Sequence, residues 1–345
     1  MNPILLSSIL LWFISVDSYA SSAQKKIRVG VIGLGNHMEE NILPSLKLIS
    51  GLELSYACCT KLEKAQNKAY QHGIKHGCVD WKELADKHLV DAFVVSGPPS
   101  LHTEVAEFAL PKGLHVFTEK PYSLDLKHSN KLAKIDHGNF AVGFNFIHTK
   151  MHELLRNNKD EIQHLKIQVL SSKPRGAFWN LSTTEESFLY AVGVHGISVV
   201  ADLMGKPESI HVFHTSMGNQ LFSMQVVLKY KYGKFASLHF GNYQNRFVNK
   251  VEAINKGGQV YSGDGFRKMQ MNQASVPQFH KKEYISFEES ILSGGFDVTG
   301  YRAELLEFFK NISSQNGAGI RANASLNLTV HKIIGEIVSQ LHKND

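Results

Sequence analysis

The sequence predicts an α/β fold with two domains. Residues 26–148 are expected to form a doubly wound parallel sheet, and residues 149–345 an α+β domain with a large, mostly antiparallel open sheet. Up to about residue 148, short apolar runs alternate with amphipathic helical patterns, whereas after residue 150 most segments have a period of two. A chain of 345 residues is long enough to give each domain its own core.

The first half begins with an apolar run at residues 27–35, which is rich in β-branched residues and ends in a glycine turn. It is too short for a helix and is typical of a parallel strand buried on both faces. Further strands are predicted at residues 52–58, 90–96, 115–118 and 140–145. Helical patterns separate them, at residues 39–50, 62–72, 102–110 and 126–136. This alternation is typical of parallel strands joined by crossover helices.

The second half has alternating patterns bounded by glycines and polar turns, at residues 164–170, 210–214, 221–230, 234–241 and 247–254. Helical patterns at residues 301–311 and 324–341 close the chain. A large sheet with one face left uncovered by helices usually packs against another subunit. The sequence therefore predicts a homodimer or homotetramer formed through the open sheet.

Charge and cysteine content exclude several classes of protein. The 37 Lys and Arg residues exceed the 31 Asp and Glu residues by a formal +6, but they are scattered, so no nucleic-acid partner is expected. The three cysteines, Cys58, Cys59 and Cys78, have the spacing of neither a disulfide framework nor a metal site. The 18 histidines form no H-E-x-x-H pattern, so no catalytic metal is expected.

Residues 1–20 have the pattern of a signal peptide. An apolar stretch at residues 3–16, too short to span a bilayer, is followed by Ser18-Tyr19-Ala20, which suits cleavage after Ala20. This predicts an exported protein, periplasmic or secreted, with no membrane contact in its mature form. The usual positive n-region is missing, so a cytoplasmic protein with an apolar extension is the alternative.

The glycine turn after the first strand has the features of a dinucleotide-binding site. Gly33 permits a tight turn, and Gly35 lets the backbone approach a pyrophosphate. Asn36, His37 and Met38 then begin a helix, whose N-terminal amides would bind the phosphates. Met38 occupies the place of the third glycine. The strand before the turn and the helix after it predict a Rossmann domain.

The end of the second strand bears on the choice of cofactor. An acidic residue there binds the ribose hydroxyls of NAD and repels the additional phosphate of NADP. This chain has Cys59, Thr60 and Lys61 instead, so a hydroxyl donor and a positive charge stand where an acid would select NAD. The sequence predicts NADP as the preferred cofactor, or NAD if Lys61 is only a solvated residue at the start of the next helix.

The most specific segment, residues 102–121, runs from His102 along an alanine-spaced helix to Gly113-Leu114-His115-Val116 and Glu119-Lys120-Pro121. Further motifs are Gly97-Pro98-Pro99, Gly143-Phe144-Asn145 and Gly193-Val194-His195. Together they resemble the glucose-fructose oxidoreductase, inositol dehydrogenase and MocA-like (Gfo/Idh/MocA) family, and the resemblance extends from Lys26 almost to the C-terminus.

This resemblance implies that the catalytic lysine is Lys120, which an E-K-P run at a strand end places at the carboxyl edge of the sheet. It implies that His195 is an acid or base, although Ala191 and Ser198 stand where the family has aspartates. The alternative is that His195 packs the domain junction. Tyr190 is a further candidate, since its hydroxyl lies beside the missing acid. The implied cofactor contacts in these motifs are Gly97, Pro98, His102, Glu119, Lys120 and Asn145.

Together these features predict an NAD(P)-dependent oxidoreductase that moves hydride between a nicotinamide cofactor and a small polar substrate. The reacting carbon would belong to a carbonyl, an alcohol or an imine, with sugar derivatives among the candidates. The alternative is a nucleotide-binding sensor or regulatory protein without turnover, which the loss of an acid at Ala191 would permit.

Overall fold

A computed structural model of the chain describes residues 25–272, 284–288, 295–314 and 319–344. The expected signal peptide and its cleavage site lie outside these residues, so export stays a prediction. The boundary expected between residues 148 and 149 falls at the end of a short 3-10 turn, Asn145–His148.

The first sheet has six parallel strands in the order β3-β2-β1-β4-β5-β6. Their bounds are β1 Ile27–Ile32, β2 Leu52–Cys58, β3 His76–Cys78, β4 Ala92–Val95, β5 His115–Thr118 and β6 Phe140–Val142. The predicted doubly wound parallel sheet is confirmed. Strand β3 was not predicted, because three residues with a central glycine give no readable hydrophobic period.

Five helices connect these strands: α1 Leu43–Lys47, α2 Leu62–His72, α3 Trp81–Asp86, α4 Pro99–Ala109 and α5 Leu126–Ile135. A π-helical turn, Met38–Ile42, leads into α1. The Asp80 carboxylate caps α3 by accepting hydrogen bonds from the amides of Lys82 and Glu83, and Asp125 caps α5 in the same way. The short helix α3 was also missed from the sequence.

The second sheet has eight strands in the order β14-β13-β12-β11-β7-β10-β9-β8. Their bounds are β7 Ile162–Leu170, β8 Ser209–Ser216, β9 Phe222–Lys229, β10 Phe235–Gly241, β11 Val248–Asn255, β12 Val260–Asp264, β13 Lys268–Asn272 and β14 Tyr284–Glu288. Among the described strands of this sheet, only β7 and β10 pair in parallel. The prediction of a mostly antiparallel sheet is confirmed, but its β12–β14 edge was not predicted.

The remaining helices are α6 Lys150–Asn157, α7 Thr184–Phe188, α8 Val194–Met204, α9 Gly295–Val298, α10 Tyr301–Ser313 and α11 Ala324–Asn344. A π-helical turn, Leu189–Gly193, joins α7 to α8. Among the described residues, the run Thr184–Met204 is the one helix long and apolar enough to cross a membrane. Since 78% of its most apolar window is buried inside the protein, the core already accounts for this composition.

The helix α10 packs in the core of the first domain, although it follows the second sheet along the chain. Leu305, Phe308 and Phe309 are almost fully buried, in the same cluster as Val29. The ring of Phe308 lies 5.9 Å from that of Phe117 on β5, in an edge-to-face arrangement. Burial of each such side chain contributes roughly 1.5–3 kcal/mol. Helix α10 is thereby fixed against the nucleotide-binding sheet.

The structure corrects the interpretation of the cysteines. The parallel register of β2 and β3 pairs Cys58 with Cys78, and their Sγ atoms form a disulfide with a separation of 2.50 Å. The sequence did not predict this pair because β3 itself was not recognised. Cys59 is free. The residues that the structure describes contain no group of three or more His, Cys, Asp or Glu side chains placed to hold a metal ion.

Candidate active site

The turn after β1 fits the pyrophosphate of a dinucleotide. Gly33 has φ +83°, and a Cβ atom there would lie 1.9 Å from the carbonyl oxygen of Ser96, so only glycine is accommodated. A Cβ on Gly35 would meet no described atom within 4 Å, which leaves the backbone open to a ligand. Asn36 is exposed and His37 half-buried at the same turn. Met38 is fully buried, so its side chain packs in the core instead of lining the site.

The loop after β2 presents cationic and hydroxyl groups. Thr60 and Lys61 are exposed, and Cys59 is half-buried. Burial raises the pKa of the Cys59 thiol, while Lys64 and Lys68 act on it electrostatically in the opposite direction. Lys64 was not predicted as a site residue, although its position in the first turn of α2, three residues after Lys61 at the N-cap, was a usable signal.

His102 is completely buried and joins the loops after β4 and β5. Its Nε2 atom accepts a hydrogen bond from the Gly97 amide at 3.1 Å, so Nδ1 carries the proton and donates to the carbonyl of Pro121 at 2.9 Å. Burial lowers the pKa of His102 to about 4, which keeps the ring neutral. Both nitrogens are used within the protein, so His102 holds the exposed Pro98 loop and the E-K-P loop together, and its contact with the cofactor stays a prediction.

Glu119 is a buried carboxylate directly beside the expected catalytic lysine. Its Oε1 atom lies 3.2 Å from Nε2 of His37, close enough for an ion pair but not aligned for a hydrogen bond. Burial alone would raise the pKa of Glu119, but the contact with His37 and the nearby Lys120 hold that pKa below its usual value. An ionised carboxylate at this point favours the charged form of Lys120.

Lys120 is half-buried at the carboxyl edge of β5. Its Nζ atom donates a hydrogen bond to the carbonyl of Ala191 in the second domain at 3.1 Å. Burial lowers the pKa of Lys120, and Glu119 and Glu304 act in the opposite direction. An amine with a lowered pKa suits proton exchange with a substrate oxygen.

His195 lies at the same junction, on the first turn of α8. Its ring stacks on Phe146 with centroids 4.1 Å apart, and its Nδ1 atom is buried without a hydrogen-bond partner. Burial, Lys120 and His37 all lower the pKa of His195 well below its usual value. The imidazole is therefore neutral at neutral pH. Both interpretations of this residue keep structural support, since it packs the junction and stands close to Lys120.

Two neighbouring positions explain how the site is built without the family acids. Ala191, in the π-helical turn, provides a backbone carbonyl to Lys120 where a carboxylate was expected. Ser198 donates its hydroxyl to the carbonyl of His195 one turn earlier, at 2.9 Å. The Tyr190 hydroxyl donates to the carbonyl of Leu124 at 3.1 Å, and burial raises the pKa of Tyr190 to about 12. Tyr190 therefore joins the two domains through this bond, and its role toward a substrate stays a prediction.

Two further side chains carry buried polar atoms that find no hydrogen-bond partner among the described residues. Asn145 is almost fully buried; its Nδ2 donates to the carbonyl of Thr299 at 2.8 Å, but its Oδ1 has no partner. Glu304 on α10 was not predicted, and neither oxygen of its buried carboxyl group has a hydrogen-bond partner. Buried polar atoms are normally satisfied. These atoms therefore fit a site that is completed by a bound dinucleotide.

A glycine turn that fits a pyrophosphate, beside a lysine at the carboxyl edge of a doubly wound sheet, defines a class of protein, the NAD(P)-binding oxidoreductases. Residues 27–139 match the sequence model of the Gfo/Idh/MocA oxidoreductase family, described as an NAD-binding Rossmann fold. This match confirms the resemblance found in the sequence.

Several known proteins are similar to this chain. A scyllo-inositol 2-dehydrogenase (NADP(+)) of Bacillus subtilis is 28% identical over 139 residues, which cover 40% of this chain and 41% of the relative, so less than half of that enzyme is matched. A 4-carboxy-2-hydroxymuconate-6-semialdehyde dehydrogenase of a Sphingobium species is 25% identical, covering 92% of this chain and 99% of the relative. The crystal structure of a dehydrogenase from Chromobacterium violaceum is 25% identical with a TM-score of 0.83, covering 93% of this chain and 98% of that one.

Proposed function

We propose that this protein transfers hydride between a nicotinamide cofactor, preferably NADP, and the carbon of an alcohol or carbonyl group in a small polar substrate. The observation that carries this proposal is the placement of Lys120, whose Nζ lies at the carboxyl edge of the sheet and bonds to Ala191 of the second domain. Ligands of open α/β sheets bind at that edge, so a substrate between the domains would meet this amine.

In this proposal the bound cofactor supplies the hydride chemistry, and the chain supplies position and proton management. During reduction of a carbonyl, the Lys120 ammonium donates a hydrogen bond to the substrate oxygen and then its proton. During oxidation of an alcohol, the neutral amine accepts the hydroxyl proton. The lowered pKa of Lys120 makes its neutral form accessible, while ionised Glu119 stabilises the charged form.

His195 is proposed to orient the substrate. Its neutral ring is held flat against Phe146 and lies close enough to Lys120 for the two groups to influence each other's charge. A neutral imidazole can accept a hydrogen bond from a substrate hydroxyl and thereby fix the reacting carbon. The similar proteins act on an inositol and on a semialdehyde, so we propose a substrate with hydroxyl or aldehyde groups.

The test is cofactor turnover by the purified full-length protein. NADPH and NADH consumption would be followed with keto sugars, semialdehydes and imines, and NADP+ and NAD+ reduction with inositols and sugars. We expect saturable turnover with at least one of these classes. Saturable cofactor binding with no turnover on any class would overturn the proposal and favour a sensor without catalytic activity.

A further inference from the structure

Glu304 is a buried acid without a hydrogen-bond partner in the part of the chain that the structure describes. Its side chain lies on the first turn of α10, the residue is 3% exposed, and neither carboxyl oxygen bonds to a described residue. Leaving a carboxyl group buried and unpaired costs free energy of folding. A function that needs this group where it stands would account for its presence.

The backbone places Glu304 on the face of α10 that meets the domain junction. Its amide donates to the carbonyl of Gly300 at 3.0 Å, and residues four apart lie on one face of a helix. A Cβ atom on Gly300 would lie 2.0 Å from the carbonyl oxygen of Asn145, so this end of the helix touches the Asn145–His148 turn. The bond from Asn145 to Thr299 fixes the same contact. Asn145 and Glu304 therefore belong to one junction, beside Lys120.

The charges around Glu304 favour its protonated form. Titratable groups in this region are Glu119 and Lys120 after β5, Tyr301 and Glu307 on α10, His148 in the junction turn and His37 against Tyr301. Burial first, then Glu119 and Glu307, raise the pKa of Glu304 well above its usual value, and Lys120 only partly opposes this. Burial at this position therefore favours the neutral carboxylic acid, which has one O–H donor.

A protonated acid and an amide oxygen together match a primary carboxamide. The Glu304 O–H group can donate to a carbonyl oxygen, and the unpaired Oδ1 of Asn145 can accept from an NH2 group. We propose that Glu304 is a positioning residue that binds the carboxamide of the nicotinamide ring, together with Asn145. This inference rests on the proposed function only for the identity of the ligand. It assigns Glu304 the task of fixing which face of the ring meets Lys120.

The test measures binding, without catalysis. NADPH would be titrated by fluorescence, and 2′-phospho-ADP-ribose, which lacks the nicotinamide ring, by calorimetry. Glu304→Leu removes the donor, Glu304→Gln keeps a neutral donor, and Glu40→Leu is a control at an exposed acid. We expect Glu304→Leu to weaken NADPH binding about tenfold and to leave 2′-phospho-ADP-ribose unaffected, while Glu304→Gln stays within about threefold of the parent. Equal effects on both ligands, or no effect on either, would overturn the inference.

A second measurement covers the case in which Glu304→Leu does not fold. In the parent, the preference for NADPH over 2′-phospho-ADP-ribose should fall as the pH rises and Glu304 loses its proton, whereas in Glu304→Gln it should stay constant. Identical pH dependence in the two proteins would contradict the assignment. Tight NADPH binding without turnover on any substrate would defeat the proposed function but leave this inference standing.

Discussion

The Nζ atom of Lys120 in the first domain donates a hydrogen bond to the backbone carbonyl of Ala191 in the second domain, over 3.1 Å. The bond ties the expected catalytic amine to the π-helical turn that precedes His195. Because the acceptor is a backbone carbonyl, it holds the amine without adding the negative charge that a carboxylate would bring. Lys120 is therefore in contact with both domains. A change in the distance between the domains would change the position of its Nζ atom and the acceptors its proton can reach.

Replacing Lys120 should remove catalysis and spare cofactor binding. Lys120→Met keeps the length of the side chain but has no charge and no proton to exchange, so we expect turnover to fall about 100-fold or more. The affinity for NADPH should change little. Single-turnover rates and fluorescence titration would measure the two effects, with Lys134→Met as a control at an exposed lysine. Full activity of folded Lys120→Met protein would defeat the mechanism.

The two roles of His195 can be separated by a pair of variants. His195→Phe keeps an aromatic ring against Phe146 but has no nitrogen, whereas His195→Ala loses both. If the nitrogen orients substrate, both variants should lose about 100-fold in turnover, and only His195→Ala should also lose about 2 kcal/mol of stability in urea unfolding. A fully active His195→Phe would show that the residue only packs the junction.

The pH dependence should differ from what an ordinary histidine would give. Burial moves the titration of His195 well below its usual range, so any inflection due to this residue falls on the acid side of neutrality. An inflection in the neutral or alkaline range is expected from Lys120 and should disappear in the residual rate of Lys120→Met. Measurement of kcat against pH for the parent and this variant would check the assignment.

Cofactor preference should follow the charge after β2. We expect NADPH to bind about tenfold or more tightly than NADH, because Lys61 and Lys64 can contact the additional phosphate. Thr60→Asp should reverse the preference for NADPH by placing a carboxylate beside the additional phosphate. Lys61→Ala should reduce the difference in affinity between NADPH and NADH. Kd values from fluorescence titration would measure the change, with the exposed Lys47→Ala as a control. Equal affinities in the parent protein would remove the basis for this prediction.

Buried neutral histidines should make the protein sensitive to acid. His331 is 2% exposed, and burial lowers its pKa from 6.5 to about 4. Between pH 6.5 and about pH 4, this histidine binds a proton in the unfolded chain but not in the folded chain. The free energy of unfolding therefore falls as the pH falls. For one such histidine, the free energy of unfolding falls by about 2 kcal/mol between pH 7 and pH 5. This contribution to the pH dependence should be absent in His331→Leu.

Urea unfolding at the two pH values would measure this difference. The exposed His137→Leu serves as the control and should leave the pH dependence unchanged. An unchanged pH dependence in His331→Leu would mean that this histidine is not buried in its neutral form.

Oligomer formation through the open sheet can be tested at the centre of its polar face. Gln168, Ser237 and His239 line a cleft of about 540 Å³ there, and Lys166 pairs with Glu252 across neighbouring strands. We expect light scattering to give the mass of a dimer or tetramer, and Ser237→Arg to give monomers by placing a large charge in the contact. Gln71→Arg, on α2, is the control. A monomeric parent would contradict the prediction.

The sequence predicted those parts of the fold in which local pattern and burial agree. Strand β1 is apolar and β-branched because both of its faces are covered, and the turn at Gly33 needs a residue that tolerates positive φ. Strands β3 and β13 escaped prediction because one is only three residues long and the other is mostly polar. The Cys58–Cys78 pair depends on the register of β3, which no spacing along the chain reveals.

Residues of the candidate site could be predicted only where they belong to a recognisable sequence motif. Lys120 stands out in its E-K-P run, but the partner of its Nζ atom is a backbone carbonyl, which sequence cannot identify. Glu304 lies four residues before Phe308, on a helical stripe of buried side chains, and an acid on such a stripe was an unused signal. The internal hydrogen bonds of His102 and Tyr190 could not be predicted either, because their partners are backbone groups of distant loops.

The packing of α10 on the first sheet has a consequence for how the protein is made. Residues 26–148 leave the ribosome long before Phe308 and Phe309, which complete the core beneath β1 and β5. Until more than 150 further residues have been synthesised, that half has an open apolar surface and must be protected from aggregation. Contacts between such distant parts of a chain also slow folding. The nucleotide-binding domain is therefore translated before the second domain, yet it is among the last parts to complete its fold.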